Sequence, residues 1–96
     1  MLDFARAALI AALIWGAHPS GCATVNQHPF PLPRSVLGEA YGCIILYNSR
    51  RSWYWGKFCT TAIHEWGHLA GRGHSSNPRS VMYYRFTHVD RRCEGA

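Results

Sequence analysis

The chain has 96 residues, of which 48% are hydrophobic and 16% are charged. That length allows one small globular domain and leaves no room for a multidomain architecture. Ten Lys and Arg residues against five Asp and Glu residues give a net charge of +5. The arginines are scattered and form no basic stripe with interleaved aromatic residues, so we expect a solvated basic surface and no specific nucleic-acid contact. The alternatives are attraction of acidic substrates, cell-wall polymers or nucleic acid.

Residues 1–23 have the pattern of an export signal. Arg6 and the free amine supply the positive start, and the apolar run 7–15 is far shorter than the ~20 residues of a membrane span. The alternative, an uncleaved core helix, is disfavoured because polar residues do not recur in this run at helical spacing. We therefore expect a secreted protein with no transmembrane span in its mature form.

The end of this segment allows more than one kind of processing. Small residues permit cleavage after Ala23 or earlier, at residues 16–17. Gly21 and Cys22 are similar to the end of a bacterial lipobox, although Pro19 stands where an aliphatic residue is expected. Anchoring through a lipid on Cys22 is thus an alternative to secretion.

Residues 24–35 are predicted to form a Pro-rich linker before the domain at residues 36–96. The linker contains Pro29, Pro31 and Pro33, and alternate prolines block both a helix and a central strand.

The domain is predicted to begin with an antiparallel hairpin. Residues 41–47 are β-branched and aromatic, residues 48–52 are polar and residues 53–55 are aromatic, which predicts strand, turn and strand. Gly56 separates the second strand from a helix. The aromatic side chains of the hairpin are expected to pack in the core.

Residues 64–74 read His-Glu-x-x-His-x-x-Gly-x-x-His. At 100° per residue, His64 and His68 lie about 40° apart on one helical face, where both can ligate one metal ion. The opposite arc of the helix is apolar and is expected to be buried: Cys59, Ala62, Ile63, Trp66, Leu69 and Ala70.

Gly71 follows the last apolar position, where a left-handed residue would end the helix. The turn would bring His74 back as a third ligand. Three histidines and one open position describe a catalytic zinc site. Glu65, beside the first ligand, is placed to take a proton from a water molecule that the zinc activates.

The segment after the third histidine extends the pattern. A serine follows His74, and Met82 stands eight residues beyond it, within Ser-Val-Met-Tyr-Tyr. The long histidine motif with a downstream Met-turn resembles the metzincin clan, and its matrixin branch in particular, over about residues 58–84. The resemblance implies a zinc endopeptidase with Met82 as the apolar floor beneath the metal.

The resemblance also implies roles for individual residues. His64, His68 and His74 would be the zinc ligands, and Glu65 the general acid/base. Tyr84 lies where astacin-like and serralysin-like metzincins place a tyrosine that ligates zinc or stabilises the oxyanion, so it is a second catalytic candidate. Matrixins usually carry proline at this position, and the chain thus combines features of two branches.

The implied fold is a minimal α+β metzincin: an antiparallel hairpin packed on the active-site helix and followed by the Met-turn. The upper strand that holds an extended peptide in these enzymes is either residues 43–47 or missing. We expect a monomer that acts on peptides or proteins. The alternative is a catalytically weak, zinc-stabilised binding or toxin-like module. Glu65 and Met82 favour the peptidase, because metal-dependent folding alone requires neither.

Four cysteines in so short a chain indicate that disulfides supplement the core. Three pairings are open. Cys43 and Cys59 flank the predicted turn, and a bridge between them would close a loop of about 16 residues and stabilise by about 3 kcal/mol. Cys22 and Cys93 would then pair, provided that Cys22 is neither removed nor lipidated.

Overall fold

The computed structural model describes residues 2–94, which form two α-helices, a three-stranded sheet and two short 3₁₀ turns. This composition confirms the α+β class. The elements in chain order are α1 (Phe4–Trp15), a 3₁₀ turn (Pro19–Gly21), β1 (Asn26–Phe30), β2 (Gly38–Tyr41), β3 (Ile44–Asn48), α2 (Trp55–Leu69) and a second 3₁₀ turn (Arg91–Cys93).

Strand β3 is the centre of the sheet. It pairs with β1 in parallel and with β2 antiparallel, so β1 and β2 are the two edges. An antiparallel hairpin is present, formed by β2 and β3, but the predicted pairing of residues 41–47 with residues 53–55 was wrong. Gly42, at φ 58°, makes the turn between β2 and β3 inside the run that was predicted as one strand.

The aromatic run at residues 53–55 is not a strand; it leads into helix α2. The indole Nε1 of Trp53 donates to the carbonyl of Asn48 at 2.9 Å, and Trp55 is the first residue of α2. The predicted core role of the aromatic residues is confirmed for Tyr47, whose ring lies 4.6 Å from that of Phe58 between centroids. Tyr54 instead is exposed.

Strand β1 lies within the predicted Pro-rich linker. An edge position suits its proline, because an edge strand needs hydrogen bonds on one side only. The segment that follows is organised by the fully buried side chain of Asn48. Its amide group accepts from the backbone N–H of Leu32 and donates to the carbonyls of Pro33 and Val36.

Helix α1 occupies the apolar run of the predicted export signal and packs into the core. Ala7 and Ala11 are fully buried, and their small side chains let α1 approach α2 closely. The ring of Phe4 lies 5.5 Å from that of Phe58. The outward face carries Leu9 and Leu13, which are 62% and 79% exposed. Both faces of α1 are therefore apolar.

The carboxyl end of α1 is attached to α2 by two reciprocal hydrogen bonds. The indole of Trp15 donates to the carbonyl of Ile63, and the indole of Trp66 donates to the carbonyl of Gly16, both at 2.9 Å. In the 3₁₀ turn that follows, the hydroxyl of Ser20 donates to the carbonyl of Leu69. These contacts reach the carboxyl half of α2, where the histidine motif begins.

The disulfides differ from the pairing that the cysteine spacing predicts. Cys22 bonds to Cys43, and Cys59 bonds to Cys93. A Cys43–Cys59 bridge was the wrong expectation, because Cys43 lies at the outer end of the hairpin whereas Cys59 is fully buried in α2.

Within residues 2–94, neither helix combines the length and the apolar character that crossing a membrane requires.

Candidate metal centre

The three histidines of the motif converge. His64 and His68 project from adjacent turns of α2, and their Nε2 atoms lie 3.1 Å apart. With His74 they form a group whose ligand atoms all lie within 4.8 Å of one another. Two nitrogens bound to one tetrahedral zinc ion at 2.0–2.1 Å lie about 3.3 Å apart, so the observed spacing fits the ion.

His74 reaches the group through the cap that ends α2. Gly71 has φ +89°, the left-handed conformation that glycine adopts most readily. Its N–H donates to the carbonyl of His68, and the N–H of Arg72 donates to the carbonyl of Gly67, the pair of bonds of a Schellman cap. The predicted end of the helix at Gly71 is thus confirmed.

Backbone carbonyls orient two of the imidazole rings. The Nδ1 of His64 lies 2.7 Å from the carbonyl oxygen of Val81, and the Nδ1 of His68 lies 2.8 Å from that of Arg72. Because a carbonyl oxygen can only accept, each Nδ1 carries the proton and donates. Each Nε2 then keeps a lone pair for a metal, which is the usual arrangement of ligating histidines.

Burial lowers the pKa of His64, and the neighbouring His68 and His74 lower it further, while the hydrogen bond to Val81 acts in the opposite direction. The ring is therefore neutral at neutral pH. A neutral imidazole is the form that binds metal.

The carboxyl group of Glu65 is buried, with only 6% of the residue exposed. Burial, reinforced by the charge of Glu39, raises its pKa from 4.5 to about 7. A Cβ at Gly38 would lie 3.2 Å from Oε2 of Glu65, so the carboxylate points towards strand β2. The acid and the histidines share one cleft of about 640 Å³, which β2 also lines.

Comparison with known proteins assigns the chain to a family. A model of the matrixin family matches residues 22–94. The chain belongs to the matrixin family. It is 32% identical over 68 residues to human matrix metalloproteinase-20, a match that covers 60% of this chain and 14% of that protein. The chain thus spans a small part of this relative's length, and no solved structure matches it.

Matrixins are zinc-dependent peptidases, and the cluster of His64, His68 and His74 is a group that could hold the metal. In this matrixin, Met82 is 5% exposed and packs against Gly67 of α2. A Cβ at Gly67 would come within 2.6 Å of the sulfur of Met82, so only glycine admits the methionine at this distance.

The structure also positions Tyr84, the second catalytic candidate, and His88, a histidine outside the motif. Tyr84 lines the cleft and is 60% exposed, with its ring 4.8 Å from that of Tyr83. His88 is exposed and lies outside the histidine cluster.

Sequence reasoning missed Gly38 and Glu39, which bring strand β2 against the carboxyl group of Glu65. Neither residue is β-branched or aromatic, so the residue types at these two positions do not predict a strand. It also missed the carbonyls of Val81 and Arg72, because backbone acceptors leave no mark in a residue pattern.

Proposed function

We propose that this matrixin is an exported, zinc-dependent endopeptidase that hydrolyses peptide bonds in peptides or proteins. The proposed ligands are His64, His68 and His74, with Glu65 as the general base. The observation that carries the proposal is the buried carboxyl of Glu65 beside three converging imidazoles, two of which have their Nε2 atoms 3.1 Å apart. Two disulfides suit an oxidising compartment outside the cytoplasm.

A zinc ion held by the three imidazoles would acidify a water molecule, lowering its pKa towards about 7, and would polarise the peptide carbonyl. Glu65 takes the proton of the attacking water and later delivers it to the leaving amine. Its raised pKa of about 7 in the metal-free protein suits a group that both accepts and donates a proton near neutrality. Gly38 leaves the space that this carboxyl occupies.

The substrate would lie along strand β2. One edge of β2 has no strand partner within residues 2–94, and this strand lines the cleft beside Glu65. An extended peptide pairs with such an edge through backbone hydrogen bonds. Residues 43–47, the segment expected to hold the peptide, belong mainly to the central strand β3, whose two edges are already paired.

Two further residues complete the proposed site. Tyr84, whose side chain is exposed in the cleft, would donate a hydrogen bond from its hydroxyl group to the developing oxyanion. Met82 would form the apolar floor of the metal site, fixed there by its contact with Gly67.

The zinc-stabilised binding module has less support. Two disulfides, Cys22–Cys43 and Cys59–Cys93, already cross-link the fold, which leaves less need for a metal as a structural cross-link. A module of that kind also has no use for a buried acid beside the ligands.

Replacing Glu65 with Gln tests the proposal. We expect the variant to bind zinc as the wild type does and to hydrolyse a peptide library about 10²- to 10⁴-fold more slowly, the usual contribution of a general acid/base. Zinc content and initial rates are measured on the same samples. A zinc-loaded variant that cleaves at the wild-type rate would refute the role of Glu65.

A further inference from the structure

One part of the cleft carries positive charge with no acidic partner. Arg51 and Lys57 both line the cleft that contains the histidines. Lys57 precedes His64 by seven residues on α2, which places the two about 20° apart around the helix and about 10 Å apart along its axis. The two residues therefore share a face of the helix, and Lys57 lies towards its amino end.

Backbone groups, not carboxylates, hold these two cations. The ammonium of Lys57 donates to the carbonyl of Ser52 at 2.7 Å, and the guanidinium of Arg51 donates to the carbonyl of Arg34 at 2.6 Å. The one ion pair within residues 2–94 is elsewhere, between Arg92 and Asp90. Desolvation lowers the pKa of Lys57, and the nearby charge of Arg51 lowers it further, which shows that the two cations repel each other.

The acidic residues of the cleft do not neutralise this pair. Glu39 acts on Glu65, at the end of the cleft near the metal site. Asp90 is engaged by Arg92 at 2.8 Å. Arg85 adds another cation to the cleft wall. The end of the cleft formed by Arg51 and Lys57 is therefore electropositive and polar.

We propose that Arg51 and Lys57 form a subsite for an acidic side chain of the substrate. An extended peptide advances about 3.3 Å per residue, so the distance of about 10 Å from His64 places this side chain about three residues from the scissile bond. The subsite rests on the proposed endopeptidase function and defines its substrates as peptides with Asp or Glu at that position. Tyr54, exposed on the same part of the cleft, would cover the aliphatic stem of the substrate side chain.

The test measures binding separately from hydrolysis. Two fluorescent octapeptides of otherwise identical sequence are compared. One carries Glu and the other carries Gln at the third residue from the central peptide bond, on each side of that bond. Dissociation constants are measured by fluorescence anisotropy with Glu65→Gln protein, in which the peptide is not consumed. We expect the Glu peptide to bind about 3- to 10-fold more tightly at low salt, with the preference shrinking in 0.5 M salt, as for a partly exposed ion pair.

Lys57→Glu and Arg51→Glu, made in the same background, should each abolish or reverse the preference. Arg50→Glu is the matched control: it changes the charge by the same amount one residue away, but Arg50 is exposed and does not line the cleft. Circular dichroism confirms that each variant is folded. Equal affinity for the two peptides, or loss of the preference in Arg50→Glu as well, would overturn the subsite.

Wild-type hydrolysis of the same peptides separates the two proposals. Cleavage of both peptides at equal rates, with equal affinities, removes the subsite and leaves the endopeptidase. Preferential binding of the Glu peptide without any cleavage supports the subsite and removes the endopeptidase.

Discussion

Helix α1 contributes to the stability of α2, the helix that carries His64 and His68, through Trp15. The indole Nε1 donates to the carbonyl of Ile63 at 2.9 Å, and the ring comes within 3.2 Å of where a Cβ at Gly67 would lie. Truncating a buried tryptophan to alanine costs about 3–5 kcal/mol. Because Trp15 is half-buried, we expect Trp15→Ala to lower the free energy of unfolding by about 2–4 kcal/mol, the hydrogen bond accounting for about 1 kcal/mol of this.

The assay is reversible urea unfolding with both disulfides intact, followed by circular dichroism. A loss of this size corresponds to a fall in Tm of about 10–25 °C for a domain of this length. Leu13→Ala is the matched control on the same helix, because Leu13 is 79% exposed and its truncation should change the stability by less than about 0.5 kcal/mol. Trp15→Phe isolates the hydrogen bond and should cost about 1 kcal/mol.

Equal stabilities for Trp15→Ala and Leu13→Ala would refute this reasoning. The result also tests the export signal predicted for residues 1–23. In a mature chain beginning at Thr24 neither substitution has an effect, and Cys43 has lost Cys22 as its partner. The mass of the purified chain distinguishes cleavage of the predicted export signal from retention of α1 in the folded protein.

Three further predictions concern the metal-free protein and its packing. Because burial and Glu39 raise the pKa of Glu65 to about 7, its protonated form stabilises the fold below about pH 4.5 and that contribution is lost as pH rises through about 7. In chelator, wild type should therefore lose about 3 kcal/mol relative to Glu65→Gln between pH 4.5 and 8 in urea unfolding, and parallel curves would contradict this. Replacing Cys59 and Cys93 together with serine opens a loop of 34 residues and should cost about 4 kcal/mol, seen as a lower urea midpoint; an unchanged midpoint would argue against this pairing. Gly67→Ala places a Cβ 2.6 Å from the sulfur of Met82 and should cost about 1–3 kcal/mol and weaken zinc binding, whereas unchanged Tm and zinc affinity would show that Met82 moves freely.

The sequence predicted the convergence of the three histidines because local geometry determines most of it. The spacing of His64 and His68 on a helix fixes their common face, and Gly71 ends that helix where its left-handed conformation is needed. The predicted buried arc of α2 is confirmed from Cys59 to Leu69. It could be predicted because apolar residues recur along this segment with the period of a helix.

The features that the sequence did not predict depend on contacts between distant segments. The packing of α1 against α2 could not be predicted, because Leu9 and Leu13 make the outer face of α1 as apolar as its inner face. The disulfide pairs depend on which cysteines the folded chain brings together. The short separation of Cys43 and Cys59 along the chain therefore predicted the wrong pair. Strand β2 was not predicted because Gly38 and Glu39 have low strand propensity. Both residues lie close to Glu65 in the structure.

The most direct test of the central claim is the zinc content of the folded protein, measured together with its peptidase activity. The account predicts one zinc ion per chain, loss of peptide cleavage when the ion is removed by a chelator, and recovery of cleavage when zinc is returned. It also predicts that His74→Ala binds zinc far more weakly while both disulfides remain formed. A folded, disulfide-bonded protein that takes up no zinc would contradict the account.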